Sequence, residues 1–305
     1  MDLDVTVVGT VNADHSLTVT ALPSPGETVL AVASHRGVGG KSANQAVSAA
    51  LLGAGTSLFA VVGDDAEGSA LVGQVAARGV DTAGVVRAAG RRSGSAVVTV
   101  DTSGENCIVV WPGANALLES AMVPDSALGT GAIVVLSLES PVPVVEAVAE
   151  RAAALGGRVL LNASPAAELP DGLWRATDVV VVNHAEATAL TGVEHQEGWA
   201  SLRAAFARRG VPSCIVTLGA GGAVVLEPRS ITEIPAVRVD VVDTTGCGDA
   251  FMGAVAAGLA RRSSLVDAAR LGVVAGAWAA RGAGAQASYA SSEELDGWQG
   301  TTVGR

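Results

Sequence analysis

Short runs of β-branched residues alternate along this chain with alanine-rich stretches of helical length, a rhythm that few folds can accommodate. Residues 6–8, 58–62, 133–138, 158–161, 178–182 and 214–218 read as continuously apolar strands, the pattern of strands buried on both faces. Residues 41–52, 68–78, 142–155, 185–191, 199–209, 249–260 and 265–280 read as helices. A strand, a helix and a second strand can form a crossover to a parallel neighbour, so the expected fold is α/β, with a mostly parallel central sheet covered by helices on both faces. Ligands of such sheets gather beyond the carboxyl ends of the strands.

Two segments break the rhythm. Residues 16–36 and 92–111 alternate polar and apolar side chains with turn residues between them and show no helical period. They predict a small antiparallel sheet built from two insertions, which leaves residues 1–15 with 37–91 and 112–305 as the core. A small sheet exposes its edges and one apolar face, and a second copy of the chain would cover both. No internal repeat or low-complexity linker interrupts the chain, and the tail after Trp298 is expected to fray.

Charge and cysteine usage exclude several classes. A net charge of −11 argues against nucleic acid or an anionic membrane as the main partner, because both demand positive charge. The acidic start Met1-Asp2-Leu3-Asp4 lacks the basic region of a secretory leader, and the longest apolar helical run, 271–280, is too short to span a bilayer. Cys107, Cys214 and Cys247 are odd in number and far apart, as expected of reduced thiols in a cytoplasmic protein. The four histidines lack the spacing of a zinc helix, and no Gly-x-Ser-x-Gly turn accompanies them.

Two glycine turns carry the chemistry. In Asp243-Thr244-Thr245-Gly246-Cys247-Gly248-Asp249-Ala250-Phe251 the glycines allow a tight turn whose amides point at one spot, and the following helix adds its positive dipole end. Asp249 would repel a phosphate there unless it takes a proton from a hydroxyl attacking that phosphate; an acidic helix cap is the plainer alternative. Cys247 at such a place is read either as a thiol activated by the helix terminus or as an inert replacement for alanine. The second turn, Gly39-Gly40-Lys41-Ser42-Ala43-Asn44-Gln45-Ala46, resembles a nucleotide P-loop but fails on spacing, since His35 stands where its first glycine belongs.

Together these segments resemble the ribokinase-like (PfkB) family of sugar and nucleoside kinases. The likeness extends to Gly9-Thr10-Val11-Asn12-Ala13-Asp14, Pro25-Gly26-Glu27-Thr28, Gly63-Asp64-Asp65, Gly113-Ala114-Asn115, Leu138-Glu139-Ser140-Pro141, Asn162-Ala163-Ser164-Pro165, Asn183 with Glu186, Thr217-Leu218-Gly219, and Gly284-Ala285-Gln286 with Ser288. Ser42, Cys247 and Trp111 depart from the usual residues, and Trp111 bears on sugar specificity.

The resemblance implies a three-layer sandwich with a β lid over the sugar, paired with the lid of a second subunit in a homodimer. It implies transfer of the γ-phosphoryl of ATP to a primary hydroxyl of a small-molecule sugar, D-ribose first. Other acceptors to be tested are 2-deoxyribose, fructose and nucleosides such as adenosine or pseudouridine, and a non-catalytic sugar or nucleotide sensor is the reading from outside the class. It further implies Asp249 as base, with the amides of Gly246, Cys247 and Gly248 as anion hole. Asn12, Asp14, Gly39, Gly40, Lys41, Asn44 and Glu139 would meet the sugar, although an Asx turn, a helix start and a solvated glutamate also explain them. Asn183, Thr217, Gly219, Gly221, Gly222 and Gly248 would meet the nucleotide, and Asn183 with Glu186 the waters of Mg2+; an ordinary helix cap and a glycine hairpin are the alternatives. Asp243, Thr245, Ala279, Gly282, Gly284 and Ser288 would hold K+, mostly through backbone carbonyls.

Overall fold

A computed structural model describes residues 4–102 and 105–302; the expectations for residues 1–3, 103, 104 and 303–305 lie outside it. In chain order the first half contains β1 (Asp4–Gly9), β2 (Asn12–Val19), β3 (Ala31–Gly39), α1 (Lys41–Leu51), β4 (Thr56–Gly63), α2 (Ala66–Ala76), β5 (Val85–Ala88), β6 (Gly94–Val100), β7 (Asn106–Trp111), β8 (Ala132–Ser137) and α3 (Val142–Leu155). The second half contains β9 (Arg158–Asn162), α4 (Asp171–Ala176), β10 (Val179–Asn183), α5 (His184–Thr191), α6 (Gly198–Arg208), β11 (Ser213–Thr217), β12 (Ala223–Leu226), β13 (Ile231–Ile234), α7 (Cys247–Ala260), α8 (Leu265–Ala279) and α9 (Ser292–Thr302).

Nine strands form the central sheet in the order β13-β12-β11-β10-β9-β8-β1-β4-β5, parallel from β11 to β5 and closed at the other edge by an antiparallel hairpin. Side chains that alternate along each strand build two cores. Val5, Val7, Ile133, Val135 and Val181 face α1, α2, α7 and α8, whereas Val8, Val134, Leu136, Val180 and Val182 face α3 to α6. Strand order reverses at β1, which has β4 on one side and β8 on the other. The crevice expected of such a switch point therefore opens at Gly9 and Ser137, where β1 and β8 end.

The second sheet has the order β3-β2-β6-β7. Its outer pairs are antiparallel, while β2 and β6 run parallel, because each continues outward just after a strand of the parallel core. Its strands begin at Asn12 and reach Gly39, closer to the core than residues 16–36 suggested. Val32, Ile108, Val109, Val110 and Trp111 leave much apolar surface on this sheet exposed.

Four elements were illegible by period alone: β5, β13, α4 and α9. The last helix, α9, reaches Thr302, past Trp298. A reciprocal cap at Ser291 and Glu294 starts this helix, and the Trp298 ring lies edge-on to Trp278 at 5.5 Å with the Arg281 guanidinium beside both.

Candidate active site

Gly246 is the left-handed residue at the start of α7, with φ 73°, and a Cβ there would meet the Tyr289 hydroxyl and Ala285. The Tyr289 hydroxyl donates to the Gly246 carbonyl at 2.9 Å, fixing the turn. A Cβ at Gly248 would meet nothing within 4 Å, so the turn is crowded behind and open in front. One expected anion donor is already engaged: the Cys247 amide donates to the Thr244 carbonyl at 3.2 Å. Asp249 follows in the first turn, buried, where α7 packs against α1 closely enough that Gly253 has no room for a Cβ beside Ser48. Asn44 Nδ2 donates to Asp249 Oδ2 at 3.0 Å and Gln45 Nε2 to Oδ1 at 2.9 Å, so α1 holds both carboxylate oxygens.

Beside Asp249 lies a polar cluster drawn from β2, α1 and the end of β8. Glu139 accepts from the Lys41 backbone N–H at 2.8 Å and from the Thr10 hydroxyl. Asn12 is buried, and its Oδ1 accepts from Asn115 Nδ2 at 2.8 Å, which leaves its own NH2 to donate. Asp14 Oδ1 is buried without a partner. Burial, together with the Glu139 and Asp249 charges, pushes the Asp14 carboxyl up to about 7. The Asp249 charge raises Lys41 above the ordinary lysine range against the opposing effect of burial, with Glu139 and Glu186 adding to it. Gly39 and Gly40 are also required by their protein neighbours. A Cβ on Gly39 would overlap the Asp14 carboxylate, and Gly40, at φ 88°, abuts the backbone of Thr10 and Asn12.

The Asn183 and Glu186 pair sits at the carboxyl end of β10 and forms a complete capping box, Glu186 N–H to Asn183 Oδ1 and Asn183 N–H to Glu186 Oε2, both at 2.8 Å. Asn183 is in register with Thr217 on β11, so the two side by side begin a shared rim. Gly219, with φ 54°, and Gly221 form the tight turn between β11 and β12, and Gly222, at φ 92°, is pressed against the backbone of Ile234 and Ala236. The hairpin expected as the plain alternative is present. With Asn183 Oδ1 and one Glu186 oxygen engaged in the cap, the second Glu186 oxygen is left to meet a magnesium ion or its waters.

Asp243 gathers the last cluster. Its Oδ1 accepts from the Thr245 amide at 2.9 Å and hydroxyl at 2.7 Å, and its Oδ2 accepts from the Gly284 amide at 2.8 Å. Against burial, the Thr245 hydroxyl and the two amides hold its carboxyl below the ordinary range. Gly282 donates to the Ala279 carbonyl at 3.1 Å and lies against Ser288, and the Asp243 amide donates to the Ala280 carbonyl at 3.3 Å, so the six expected cation positions gather where the Asp243 turn meets the end of α8 and the loop that follows it. Both Asp243 oxygens are taken by the Thr245 and Gly284 donors, so a monovalent cation here would rest on backbone carbonyls, with Asp243 fixing the loops around it.

Of the two readings of Cys247, the inert one is favoured: burial and the Asp243 and Asp249 charges push its thiol up to about 11, against the lowering effect of its backbone hydrogen bond. Two partners of the expected site residues went unassigned in the sequence. Gln45 and Gln286 lie inside the quoted motifs without a role, and Gln286 Nε2 donates to Asn44 Oδ1 at 3.0 Å. Their signal was a long amide side chain in an otherwise small, apolar setting.

An aspartate behind a glycine turn at a helix start, facing a buried polar cluster at the switch point of a three-layer α/β sandwich, belongs to a small-molecule phosphotransferase fold. The chain is a member of the pfkB family of carbohydrate kinases, whose pattern matches residues 2–292. It is 35% identical over 293 residues to ribokinase from Haemophilus influenzae, covering 95% of this chain and 96% of that protein. It is 32% identical over 300 residues to deoxyribokinase from Salmonella typhimurium, covering 96% and 98%. A solved structure of Arabidopsis thaliana ribokinase complexed with ribose and ATP superposes with a TM-score of 0.88 at 28% identity, covering 97% of this chain and 98% of that one.

Proposed function

We propose that this chain is an ATP-dependent kinase that transfers the γ-phosphoryl group to O5 of D-ribose, giving ribose 5-phosphate. Asp249 carries the reading: a buried carboxylate with both oxygens held by amides, at a helix start open in front of Gly248. The ribokinase relatives point to ribose as the sugar. Asp249 accepts the proton of the attacking hydroxyl, while the helix dipole and the amides of Gly246 and Gly248 draw the charge of the transferring group. The Cys247 amide, tied to Thr244, contributes chiefly to the turn. Asn12 and Asn44 donate to sugar hydroxyls, Asp14 and Glu139 accept from them, and Lys41 balances these carboxylates. Gly39 and Gly40 let Asp14 and the β1–β2 turn close on the sugar.

At the other end Asn183, Thr217, Gly219, Gly221 and Gly222 line the nucleotide, with Gly248 at its phosphates. Bound magnesium neutralises phosphate charge, and Asn183 with Glu186 holds its waters. Potassium bound by Asp243, Thr245, Ala279, Gly282, Gly284 and Ser288 would order the turn at Gly246. Residues 16–36 with 92–111 act as a lid on the core of residues 1–15, 37–91 and 112–305, the exposed Val32, Ile108 and Val110 on it support a homodimer, and the three free cysteines fit a cytoplasmic protein.

The test is kcat/KM for ribose, 2-deoxyribose, fructose, adenosine and pseudouridine, measured side by side. Ribose is expected to lead, with 2-deoxyribose behind it, because a dry pocket that loses one hydroxyl keeps an unpaired polar group. A nucleoside preferred over ribose would point to stacking on Trp111, whose ring is half-exposed on the edge strand β7. Omission of magnesium, and replacement of potassium by a bulky organic cation at matched ionic strength, are both expected to lower turnover. Sedimentation at micromolar concentration reports the dimer.

A further inference from the structure

Gln45 is almost fully buried in α1, whose other buried residues are Ala, Ser, Val and Asn44, and packing alone gives no reason for its long amide there. Its Nε2 donates to Asp249 Oδ1 at 2.9 Å and to Asn162 Oδ1 at 3.1 Å, while its Oε1 is buried without a partner. An unsatisfied buried carbonyl is costly, and an apolar residue of the same length would avoid the cost. The orientation that incurs it is the one that turns both amide hydrogens toward acceptors, one of them Asp249. Reversing the amide would set its carbonyl against a carboxylate. On the other oxygen Asn44 is fixed in the same sense, since Gln286 Nε2 donates to Asn44 Oδ1 at 3.0 Å and so directs Asn44 Nδ2 to Asp249.

We propose that Gln45 is a positioning residue for phosphoryl transfer, holding the Asp249 carboxylate in the plane from which it takes the acceptor's proton, with Gln286 supporting the same carboxylate through Asn44. The inference rests on the kinase reading above. Its chemistry is geometric: a base displaced by a fraction of an ångström loses its line to the hydroxyl although the sugar still binds.

The experiment is a double-mutant cycle with the full-length protein. Gln45→Met keeps the length and removes the donor. In the wild-type background it is expected to lower kcat for ribose by roughly 10- to 100-fold with little change in the ribose KM. In the Asp249→Asn background, where no base is left to position, the same substitution should lower the residual turnover by less than about twofold. A purely structural Gln45 would depress both backgrounds alike, and that result overturns the proposal. So does undiminished kcat in Gln45→Met, or a loss confined to KM. If Gln45→Met does not fold, Gln286→Met enters the same cycle and is expected to show the same dependence on Asp249 with a smaller drop; equal drops in both backgrounds again overturn the idea. The kinase reading fails separately: wild-type protein inactive on every acceptor removes it, whereas Asp249→Asn with wild-type turnover removes only the base and this inference with it.

Discussion

Around Asp249, side chains hold one another across 204 to 242 residues of sequence; around Asn183 and Glu186 each polar group finds its partner three residues away. The first region is assembled only when α1, α7, β2 and the segment after α8 have all docked. The second is complete as soon as β10 turns into α5. The proposed acceptor end is therefore rigid and intolerant around Asp249, whose two oxygens are oriented by Asn44 and Gln45, Asn44 in turn by Gln286. The proposed nucleotide end is a rim of locally satisfied caps and glycine turns, able to adjust to a ligand without disturbing the core.

Asp249→Asn gives the largest expected effect, a fall in kcat of about 10²- to 10⁴-fold with sugar binding little altered. A variant that retains a third of wild-type turnover breaks the contrast at its centre, because the tightly held carboxylate would then be structural.

Asp14→Asn comes next. Loss of the charged acceptor should raise the ribose KM by roughly 10- to 100-fold. The same variant changes stability in the opposite direction. Asp14 has its carboxyl raised from 3.8 to about 7 on folding, so between those values the unfolded chain releases a proton that the folded state retains. Wild-type stability consequently falls as pH rises through that window, whereas Asp14→Asn lacks this term. Denaturant midpoints should show the variant gaining on wild type by ~2 kcal/mol or more between pH 4 and pH 8. Parallel pH curves for the two proteins would show that Asp14 is not strained by burial.

Gly248→Ala sharpens the difference between crowded and open glycines. Nothing stands within 4 Å of a Cβ there, so the melting temperature should hold while turnover drops about tenfold as the methyl enters the space in front of the turn. Gly39→Ala, whose Cβ meets the Asp14 carboxylate, should lose stability and sugar binding together. Unchanged turnover in Gly248→Ala would move the transferring phosphoryl away from α7.

At the nucleotide end, Glu186→Ala should cost about 1 kcal/mol through the lost cap, and Glu186→Gln much less. A raised magnesium requirement shared by both variants separates the metal role from the cap; an unchanged requirement in both assigns Glu186 to the cap alone. The smallest effect belongs to Cys247→Ala, which should leave turnover near wild type. Brief alkylation followed by peptide mapping should label exposed Cys107 before Cys247, whose thiol lies at about 11.

Much of the fold was legible because its signals are local. The six expected strands and seven expected helices correspond to β1, β4, β8–β11 and to α1–α3 and α5–α8, since a continuous apolar run and a 3.6-residue period are each carried within a dozen residues. Boundaries moved where a cap intervened: α2 begins at Ala66 because Asp65 accepts from the Gly68 amide at 2.6 Å. The unseen elements are short, as β5 and β13 are, or polar and held by tertiary contacts, as α9 is by Trp298 and Trp278. In the candidate site, turn chemistry marked Gly246, Gly248, Gly39 and Gly40, and spacing marked Asn183 with Glu186.

By itself, then, the sequence determined the layered α/β plan, the two glycine turns and the aspartate delivered by the second, because turns and amphipathic periods are written in neighbouring residues. Only the tertiary structure decided why Gly39 must lack a side chain, which amides grip Asp249, that burial lifts the Asp14 carboxyl to about 7, and that burial raises rather than lowers the Cys247 thiol. Those properties depend on burial and on partners brought together by folding, some of them more than 200 residues apart, and desolvation and hydrogen bonding act through space rather than along the chain.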